Sequence, residues 1–372
     1  MLEGEIRALA QRLKGEAAQR KDLAHSLRQV HREVSITEVD EHGDTVIDDR
    51  LIERVQGDAA HTTIAGIDGG LLTRECHGID IIMTRAVGVR FGYTDGRIDQ
   101  CDYLPAPIVT PTITVVTEPL SESDLRLRAG MERQMAELAT AARMARTHAP
   151  DLLLMDGSVA PHPSLQPPAD STMKDMYHAL MDRYVDLYKA CERAGSQLAG
   201  VVEDSRGTRF SMVLADRIVP NLDPGTVNAD AGDMLRRSRD TPLLTHLMEQ
   251  RERTFVFKYS RRAYDHPMLR DLGTWGERVH SFYLRTAALD RPVRVDFLVS
   301  AGNISKQADA LAATLLAISG HHDLYGIPTV LIEADGRAKL SQDDIEMVHA
   351  LIADMMGGPP GSMDLRRHGR PF

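Results

Sequence analysis

The chain has 372 residues, which is enough for one large domain or two, and 42% of them are hydrophobic, which is ample for a buried core. Its formal net charge of −10 argues against a nonspecific nucleic-acid coat protein but is compatible with an enzyme that has local basic surface. No run of about 18 apolar residues is present and residues 1–6 lack the order of a signal peptide, so we expect neither a membrane span nor secretion. Cys76, Cys101 and Cys191 form no Cys-x-x-Cys pair, which argues against a zinc site and for a reducing, cytoplasmic location.

The N-terminal segment has a helical pattern. Apolar residues recur at spacings of three and four over residues 1–35, and this period predicts an amphipathic helix. Such a helix either packs on the body of the protein or serves as an arm for dimerisation or partner docking, and the pattern leaves both interpretations open. We therefore treat residues 1–40 as an N-terminal helical arm, 41–356 as the main domain and 357–372 as a loose C-terminal tail.

The next part of the chain predicts an antiparallel meander followed by a helix. The hairpin signal Thr94-Asp95-Gly96-Arg97 joins two runs rich in β-branched residues, and Ser121 or Ser123 can cap the helix. The predicted elements are strands ending at Asp68 and spanning 79–92, 98–104 and 113–116, a helix over 124–147, and a strand over 151–155 that precedes Asp156.

The second half of the chain alternates predicted helices with short apolar strands. A proline-containing loop over 161–170 separates it from the first half, and Ser341 begins a capping box that predicts the start of the last helix. The predicted elements are helices over 172–194, 240–250, 304–319 and 342–356 and strands over 198–202, 254–259, 292–299 and 329–332, with an irregular segment over 219–240.

Two Asp-Gly steps, each at the end of an apolar run, are the most informative feature of the sequence. Asp68 lies in Gly66-Ile67-Asp68-Gly69-Gly70, and Asp156 lies in Leu154-Met155-Asp156-Gly157-Ser158. A buried strand followed at once by these residue types places a carboxylate where the backbone can turn sharply. Asp-Gly is also an ordinary turn signal, so each aspartate taken alone could simply cap local amides. Two of them with an acidic helix between indicate a site for Mg²⁺ or Mn²⁺, which prefer oxygen ligands.

Two glutamates of that helix are candidates for a third ligand. Glu132 and Glu137 lie five residues apart and point in different directions, so they do not both face one site. Glu132 is closer to the apolar arc of the helix, and we favour it. Asp335 follows the predicted strand over 329–332 in a third Asp-Gly step and is a candidate for a fourth carboxylate or for an ordinary turn.

The order of these elements is that of a ribonuclease-H-like domain. Such a domain takes metal ligands from its first strand, its first helix and its fourth strand, so the predicted fold is α/β, a mixed sheet flanked by helices. Two ions held by Asp68, Glu132 (or Glu137), Asp156 and Asp335 suit phosphodiester hydrolysis, because one activates water and the other stabilises the leaving oxygen.

Basic residues in two segments are candidates for DNA contacts. The segment Lys258-Tyr259-Ser260-Arg261-Arg262 is the densest basic cluster, and Arg206 lies close to the predicted strand over 198–202. Lys258, Arg261, Arg262 and Arg206 could contact phosphates, and the alternative is a solvated charged loop. A GxxxxGK[ST] phosphate loop is absent from the sequence, so the chain is not itself an ATPase of that type.

At these residues the chain resembles the NurA family of DNA-end-processing nucleases, nearly from end to end. The segments that carry the resemblance are Gly66–Gly70, Leu153–Ser158, Leu198–Ser205, Arg291–Asp296 and Tyr325–Ala338. Three positions depart from the pattern of that family. Gly70 stands where a serine is usual, Glu203 where many members have lysine, and Asp335 where members commonly have the histidine of Glu-Ala-His.

The resemblance implies a ribonuclease-H-like nuclease domain over residues 41–356 that depends on Mn²⁺ or Mg²⁺. It also implies single-strand endonuclease and 5′–3′ exonuclease activity on DNA ends in double-strand break repair, a homodimer, and a hexameric HerA-type ATPase that translocates DNA as partner. A carboxylate at Asp335 still suits these cations, whereas Glu203 replaces a potential phosphate contact with repulsion. An alternative is therefore a catalytically weakened subunit of the same fold that binds DNA or the ATPase.

Overall fold

The computed structural model describes residues 2–30, 47–48, 50–59, 61–357, 361 and 363–365. The strands are β1 (Ile52–Arg54), β2 (Thr63–Glu75), β3 (Asp80–Thr94), β4 (Arg97–Leu104), β5 (Thr112–Val116), β6 (Leu152–Asp156), β7 (Gln197–Val202), β8 (Glu252–Thr254), β9 (Phe257–Lys258), β10 (Val279–Leu284) and β11 (Val293–Leu298). The helices are α1 (Leu2–Val30), α2 (Glu122–His148), α3 (Lys174–Ala194), α4 (Arg209–Val213), α5 (Ala231–Arg236), α6 (Asp240–Leu247), α7 (Ile304–Ser319), α8 (Thr329–Ala338) and α9 (Gln342–Met355).

In the described part of the chain, eleven strands form one mixed sheet. Its order is β1-β8-β10-β11-β7-β6-β2-β3-β4, with β5 paired to β3 and β9 paired to β10. The strands β2, β3 and β4 form an antiparallel meander, whereas β2, β6 and β7 run parallel to one another. Since α2 connects the meander to β6, the core β4-β3-β2-β6-β7 has the element order predicted from the sequence. The ribonuclease-H-like, mixed α/β architecture is thereby confirmed.

Helices cover both faces of the central strands. Alternate side chains of β2 and β6 enter different cores: Ile67 and Leu153 pack with α2 and α3, whereas Ile64 and Leu152 pack with α7 and α8. A strand buried on both faces reads as a continuous apolar run, which is why the sequence of β6 shows no polar alternation. Each of these fully buried side chains contributes about 2 kcal/mol of transfer free energy, so the central sheet is the rigid part that holds the site.

The N-terminal helix packs on the body with only part of its length. Leu23, Ala24 and Leu27 of α1 are buried in a cluster that includes α6, as the packed-helix interpretation predicted. Leu2 and Ile6 are 70% and 56% exposed. Residues 31–40 of the predicted arm lie outside the described residues.

The segment predicted as a loose tail is described in part. Met363 is buried and Asp364 pairs with Arg74 at 3.0 Å, while most of the other residues of 357–372 lie outside the described residues. None of the described helices is long and apolar enough to span a membrane.

Two predicted elements are wrong in ways that matter for the site. The strand predicted to end at Asp68 continues to Glu75, because its glycines allow neighbouring elements to approach closely and do not turn the chain. The predicted strand over 329–332 is the first turn of α8, whose buried residues recur at helical spacing. The predicted caps of α2 by Ser121 and of α9 by Ser341 are confirmed.

Candidate metal centre

Asp68 and Asp156 lie side by side on neighbouring parallel strands. The register pairs Ile67 of β2 with Met155 of β6, so the next residues on each strand are the two aspartates. Because each aspartate follows directly after one member of this register pair, both side chains point to the same face of the sheet. Their carboxyl groups share a hydrogen bond. Asp68 is buried and Asp156, the last residue of β6, reaches solvent, so the pair forms the floor of a site that opens at the sheet edge.

Glu137 of α2 lies against β2 at Gly69, near enough for its charge to interact with those of both aspartates. Its side chain is buried, its Oε2 accepts a hydrogen bond from Gln134 Nε2 at 2.9 Å, and its Oε1 lies 3.3 Å from Arg133 Nε. Oε1 has no hydrogen-bond partner among the described residues. Gly69 makes this approach possible, because a Cβ at that position would lie 2.5 Å from Oε1. The buried oxygen therefore lies beside β2, one residue along the strand from Asp68, with Arg133 as its ion-pair partner.

Asp335 is brought to the site by α8. The backbone of this helix rests directly on β2, since a Cβ at Gly70 would collide with the carbonyl oxygen of Ala338 and one at Gly66 would lie 2.8 Å from that of Val330. The carboxylate of Asp335 faces a cleft of about 360 Å³. Asp156, Glu203, Tyr325 and Asp335 are among the residues that line this cleft.

The carboxylates perturb one another electrostatically. Burial, followed by the charges of Asp68 and Glu203, raises the pKa of Asp156 to about 7. Burial also raises the pKa of Glu137 to about 8, with Asp68 and Asp156 adding to the shift and Arg133 opposing it. The pKa of Asp68 is raised mainly by burial and further by Asp335. Carboxylates that raise one another's pKa values hold an excess of negative charge that a divalent cation would neutralise.

The residues present fit a hard divalent cation in their chemistry. All four candidate donors are carboxylates, the ligand type that Mg²⁺ and Mn²⁺ prefer, and the buried Oε1 of Glu137, which is ion-paired with Arg133, accepts no hydrogen bond from the described residues. Within the described residues, no three His, Cys, Asp or Glu side chains are already arranged as a ligand set, and the contacts found here are pairwise. To hold an ion, the carboxylate side chains must therefore rotate towards a common point. Without a cation, their mutual repulsion keeps them apart.

The structure brings Glu137, and not Glu132, to the two aspartates. The two glutamates are about 140° apart around the helix, and Glu132 pairs with Arg128 at 3.1 Å. The expectation that Glu132 is the helix ligand therefore loses its geometric basis. Arg133, which donates a hydrogen bond to the carbonyl of Gly69 at 3.3 Å, is a site residue that the sequence pattern did not reveal.

Glu203 lies at the rim of the cleft and is held by Tyr325. The hydroxyl of Tyr325 donates a hydrogen bond to Glu203 Oε1 at 3.1 Å. Burial raises the pKa of Glu203, and the charges of Asp204 and Asp335 raise it further. Glu203 therefore adds an acidic group, instead of a cation, to a cleft that Asp156, Asp204 and Asp335 also line.

A buried polar network fixes the loop after β7. Ser205 Oγ accepts hydrogen bonds from the backbone N–H of Gly207 and from Arg294 Nη1, at 3.2 and 3.1 Å. The carboxylate of Asp240 accepts a hydrogen bond from the hydroxyl of Tyr283 at 2.9 Å and further bonds from two backbone N–H groups of α4. Buried groups satisfied in this way rigidify their surroundings, so the loop that bears Glu203 and Arg206 has a defined position.

The predicted DNA-binding residues separate into two groups. Lys258 pairs with Glu277 at 3.3 Å and Arg262 approaches Asp265 at 3.8 Å, while Arg261 is exposed. Arg206 lines a different cleft, next to the acidic one.

Comparisons with known proteins agree with the fold. The sequence model of the NurA domain matches residues 62–340, well over half of the chain. Comparison with curated protein sequences gives no significant match. The crystal structure of the NurA nuclease from Sulfolobus solfataricus is 16% identical, with a TM-score of 0.55 over 93% of this chain and 97% of that chain. A crystal structure of NurA bound to dAMP and manganese is 11% identical, with a TM-score of 0.51 over 94% of this chain and 96% of that chain. On the match of its sequence to the family model, the chain belongs to the NurA domain family.

Proposed function

We propose that this protein is a divalent-metal-dependent deoxyribonuclease whose metal ligands are Asp68, Glu137, Asp156 and Asp335. The observation that supports the proposal is the pairing of Asp68 with Asp156 on neighbouring strands, with the charge of Glu137 acting on both and Asp335 lining the same cleft as Asp156. The preferred ions are Mn²⁺ or Mg²⁺, and two of them suit the number of carboxylates.

The side chains divide the work of binding. Divalent ions in such a site would supply activation of water and charge stabilisation of the leaving oxygen. Asp68 and Asp156 would supply the floor of the site, Glu137 a buried carboxyl group that loses its proton to the cation, and Asp335 a carboxylate that lines the cleft. The charge of Arg133 opposes the rise in the pKa of Glu137, but burial still raises it to about 8, so a cation that binds this carboxyl group would displace its proton.

The proposed substrate is DNA, cut as single strands and at 5′ ends. Family membership supports this assignment, as does the dAMP and manganese bound to the similar NurA structure. We further propose a homodimer that works with a hexameric HerA-type ATPase in double-strand break repair. The three cysteines form no disulfide, which supports a reducing, cytoplasmic location.

The decisive experiment is digestion of end-labelled single-stranded DNA with Mn²⁺ by the wild type and by isosteric variants. Asp68→Asn, Asp156→Asn and Glu137→Gln should each reduce cleavage by more than the roughly ten- to hundredfold that is typical of outer-shell partners of a metal. Glu132→Gln is the matched control on the same helix and should retain activity. Retention of activity in Asp68→Asn and Asp156→Asn would refute the site.

A second candidate is a weakened subunit that binds DNA or the ATPase without cutting. Glu203 favours it, because this residue adds negative charge where a phosphate must approach. Absence of cleavage by the wild type, even with a cognate HerA-type ATPase, together with retained DNA binding, would support this candidate over the nuclease.

A further inference from the structure

A second cleft adjoins the carboxylate cleft and has the opposite charge. It has a volume of about 450 Å³, and its charged and titratable lining residues are Arg20, Asp204, Arg206, Arg239, His246 and Arg291. Asp204 also lines the carboxylate cleft, so the two cavities share a wall at the loop after β7. Four arginines against one aspartate give this cleft an excess of positive charge within a chain of net charge −10.

Three of the four arginines are available to a ligand. Among the residues that the structure describes, Arg291 pairs with Asp204 at 3.4 Å, whereas no carboxylate pairs with Arg20, Arg206 or Arg239. Arg206 and Arg239 are exposed and Arg20 is half-buried. Guanidinium groups that remain in contact with water do not require a counterion, but several of them around one cavity create a positive potential that attracts an anion.

The positive charges act on the same small space. A sphere with the volume of the cleft is about 10 Å across, close to the Debye length of about 8 Å at physiological ionic strength. His246 responds to this potential: partial burial lowers its pKa, and the charges of Lys21 and Arg20 lower it further. Helix α1 supplies Arg20 because Leu23, Ala24 and Leu27 anchor it against α6.

We propose that this cleft binds phosphate groups of the DNA strand whose cleaved bond lies at the carboxylates. The proposal rests on the proposed function for the identity of the strand. Arginine presents a planar set of donors that matches phosphate oxygens, and the cleft has the volume of a small-molecule site, enough for about one nucleotide. On one side of the shared wall at Asp204, the arginines would attract the phosphates of the DNA strand. On the other side, bound cations would neutralise the carboxylates that otherwise repel the strand.

The test compares DNA binding by the wild-type protein and by two double variants in EDTA, where cleavage is suppressed. Binding of a fluorescein-labelled oligothymidylate is followed by anisotropy at several salt concentrations. Arg206→Gln with Arg239→Gln should weaken binding about tenfold or more and reduce the slope of log K against log salt by about 1.4, since each phosphate contact on a single strand contributes about 0.7. Arg97→Gln with Arg193→Gln removes the same charge from exposed positions outside the cleft and should leave both quantities nearly unchanged.

The outcomes separate this proposal from the nuclease proposal, because the readout needs neither metal nor cleavage. Equal weakening of DNA binding in both double variants would show that only net charge matters and would overturn the proposal. Unchanged binding and salt slope in Arg206→Gln with Arg239→Gln would also overturn it. Repeating the titration with 5′-phosphorylated and 5′-hydroxyl strands identifies the source of the phosphate. Loss confined to the phosphorylated strand supports capture of a terminal phosphate, and equal loss supports internal phosphates. Circular dichroism and urea unfolding of each variant check that the fold is retained.

Discussion

Substitution of Glu137 by glutamine should remove a pH-dependent loss of stability from the metal-free protein. Burial raises the pKa of Glu137 to about 8, from an ordinary value near 4.5. Between these values the folded state keeps a proton that the unfolded state releases, so the free energy of unfolding must fall as pH rises. For a single group with these two pKa values, the fall between pH 6.5 and 8.5 is about 2 kcal/mol. Glutamine has nearly the same shape and does not ionise.

The assay is urea unfolding in EDTA at pH 6.5 and 8.5. Asp156, whose pKa is raised to about 7, adds its own pH dependence to both proteins. The wild type should therefore lose about 2 kcal/mol more than Glu137→Gln over this interval. Glu132→Gln is the control and should behave as the wild type does, because Glu132 is paired with Arg128 away from the aspartates.

Addition of Mn²⁺ at pH 8.5 extends the comparison to the proposed ligand. A cation that binds only the folded state stabilises it in proportion to the logarithm of its concentration over Kd. Mn²⁺ should therefore restore the stability of the wild type and should stabilise Glu137→Gln much less. Equal pH dependence of the wild type and Glu137→Gln, or reproduction of the Glu137→Gln result by Glu132→Gln, would refute this account of the site.

Two further predictions concern positions where the chain departs from the pattern of its family. Gly70→Ser should lower the free energy of unfolding by about 2 kcal/mol or more, because any Cβ there collides with the carbonyl of Ala338. Gly336→Ala should instead raise the free energy of unfolding by about 0.5–1 kcal/mol, because Gly336 lies within α8 and nothing is near its added Cβ. Urea unfolding of both variants checks the contrast. Glu203→Lys should lower the pKa of Asp156, because the substitution replaces a negative charge that raises this pKa. The same variant should bind single-stranded DNA several-fold more tightly in EDTA. Unchanged or weaker binding, measured by anisotropy, would contradict the repulsive role of Glu203.

The positions of the two aspartates could be predicted because the information is local. Each follows an apolar run long enough for one strand, and the strand period of two places both carboxylates on one face once the strands are neighbours. The order of elements along the chain favours the pairing of the two strands that bear Asp68 and Asp156. Prediction of Asp68 and Asp156 as a pair therefore needs nothing beyond the chain order and the strand period.

The glycines beside Asp68 show where local patterns mislead. Asp-Gly-Gly is an ordinary turn signal, yet β2 continues through it to Glu75. Gly69 admits Glu137 from one face and Gly70 admits α8 from the other. The need for glycine at both positions comes from elements that are distant in the sequence. The local sequence of the segment, taken alone, therefore predicts a turn.

The error at α8 has a related cause. Its first turn, Thr329-Val330-Leu331-Ile332, is a short run of β-branched and apolar residues that fits a buried strand as well as a helix. The contacts of α8 with β2 and β3 favour the helix, because its buried residues continue at Ala334 and Ala338. The choice between Glu132 and Glu137 meets the same difficulty, since their local patterns are similar and only the contact with β2 at Gly69 favours Glu137.

The basic cleft could not be found from the sequence, because its arginines come from four segments separated by up to 271 positions, from Arg20 to Arg291. Their juxtaposition nevertheless resolves the conflict between the charge of the chain and its proposed substrate. A cluster of carboxylates repels DNA until cations neutralise it. In the proposed arrangement the neighbouring basic cleft would hold the strand and the carboxylates would hold the cations, so that the wall at Asp204 separates two opposite electrostatic requirements. Since each ligand reduces the repulsion felt by the other, binding of cation and of DNA should be reciprocally favourable.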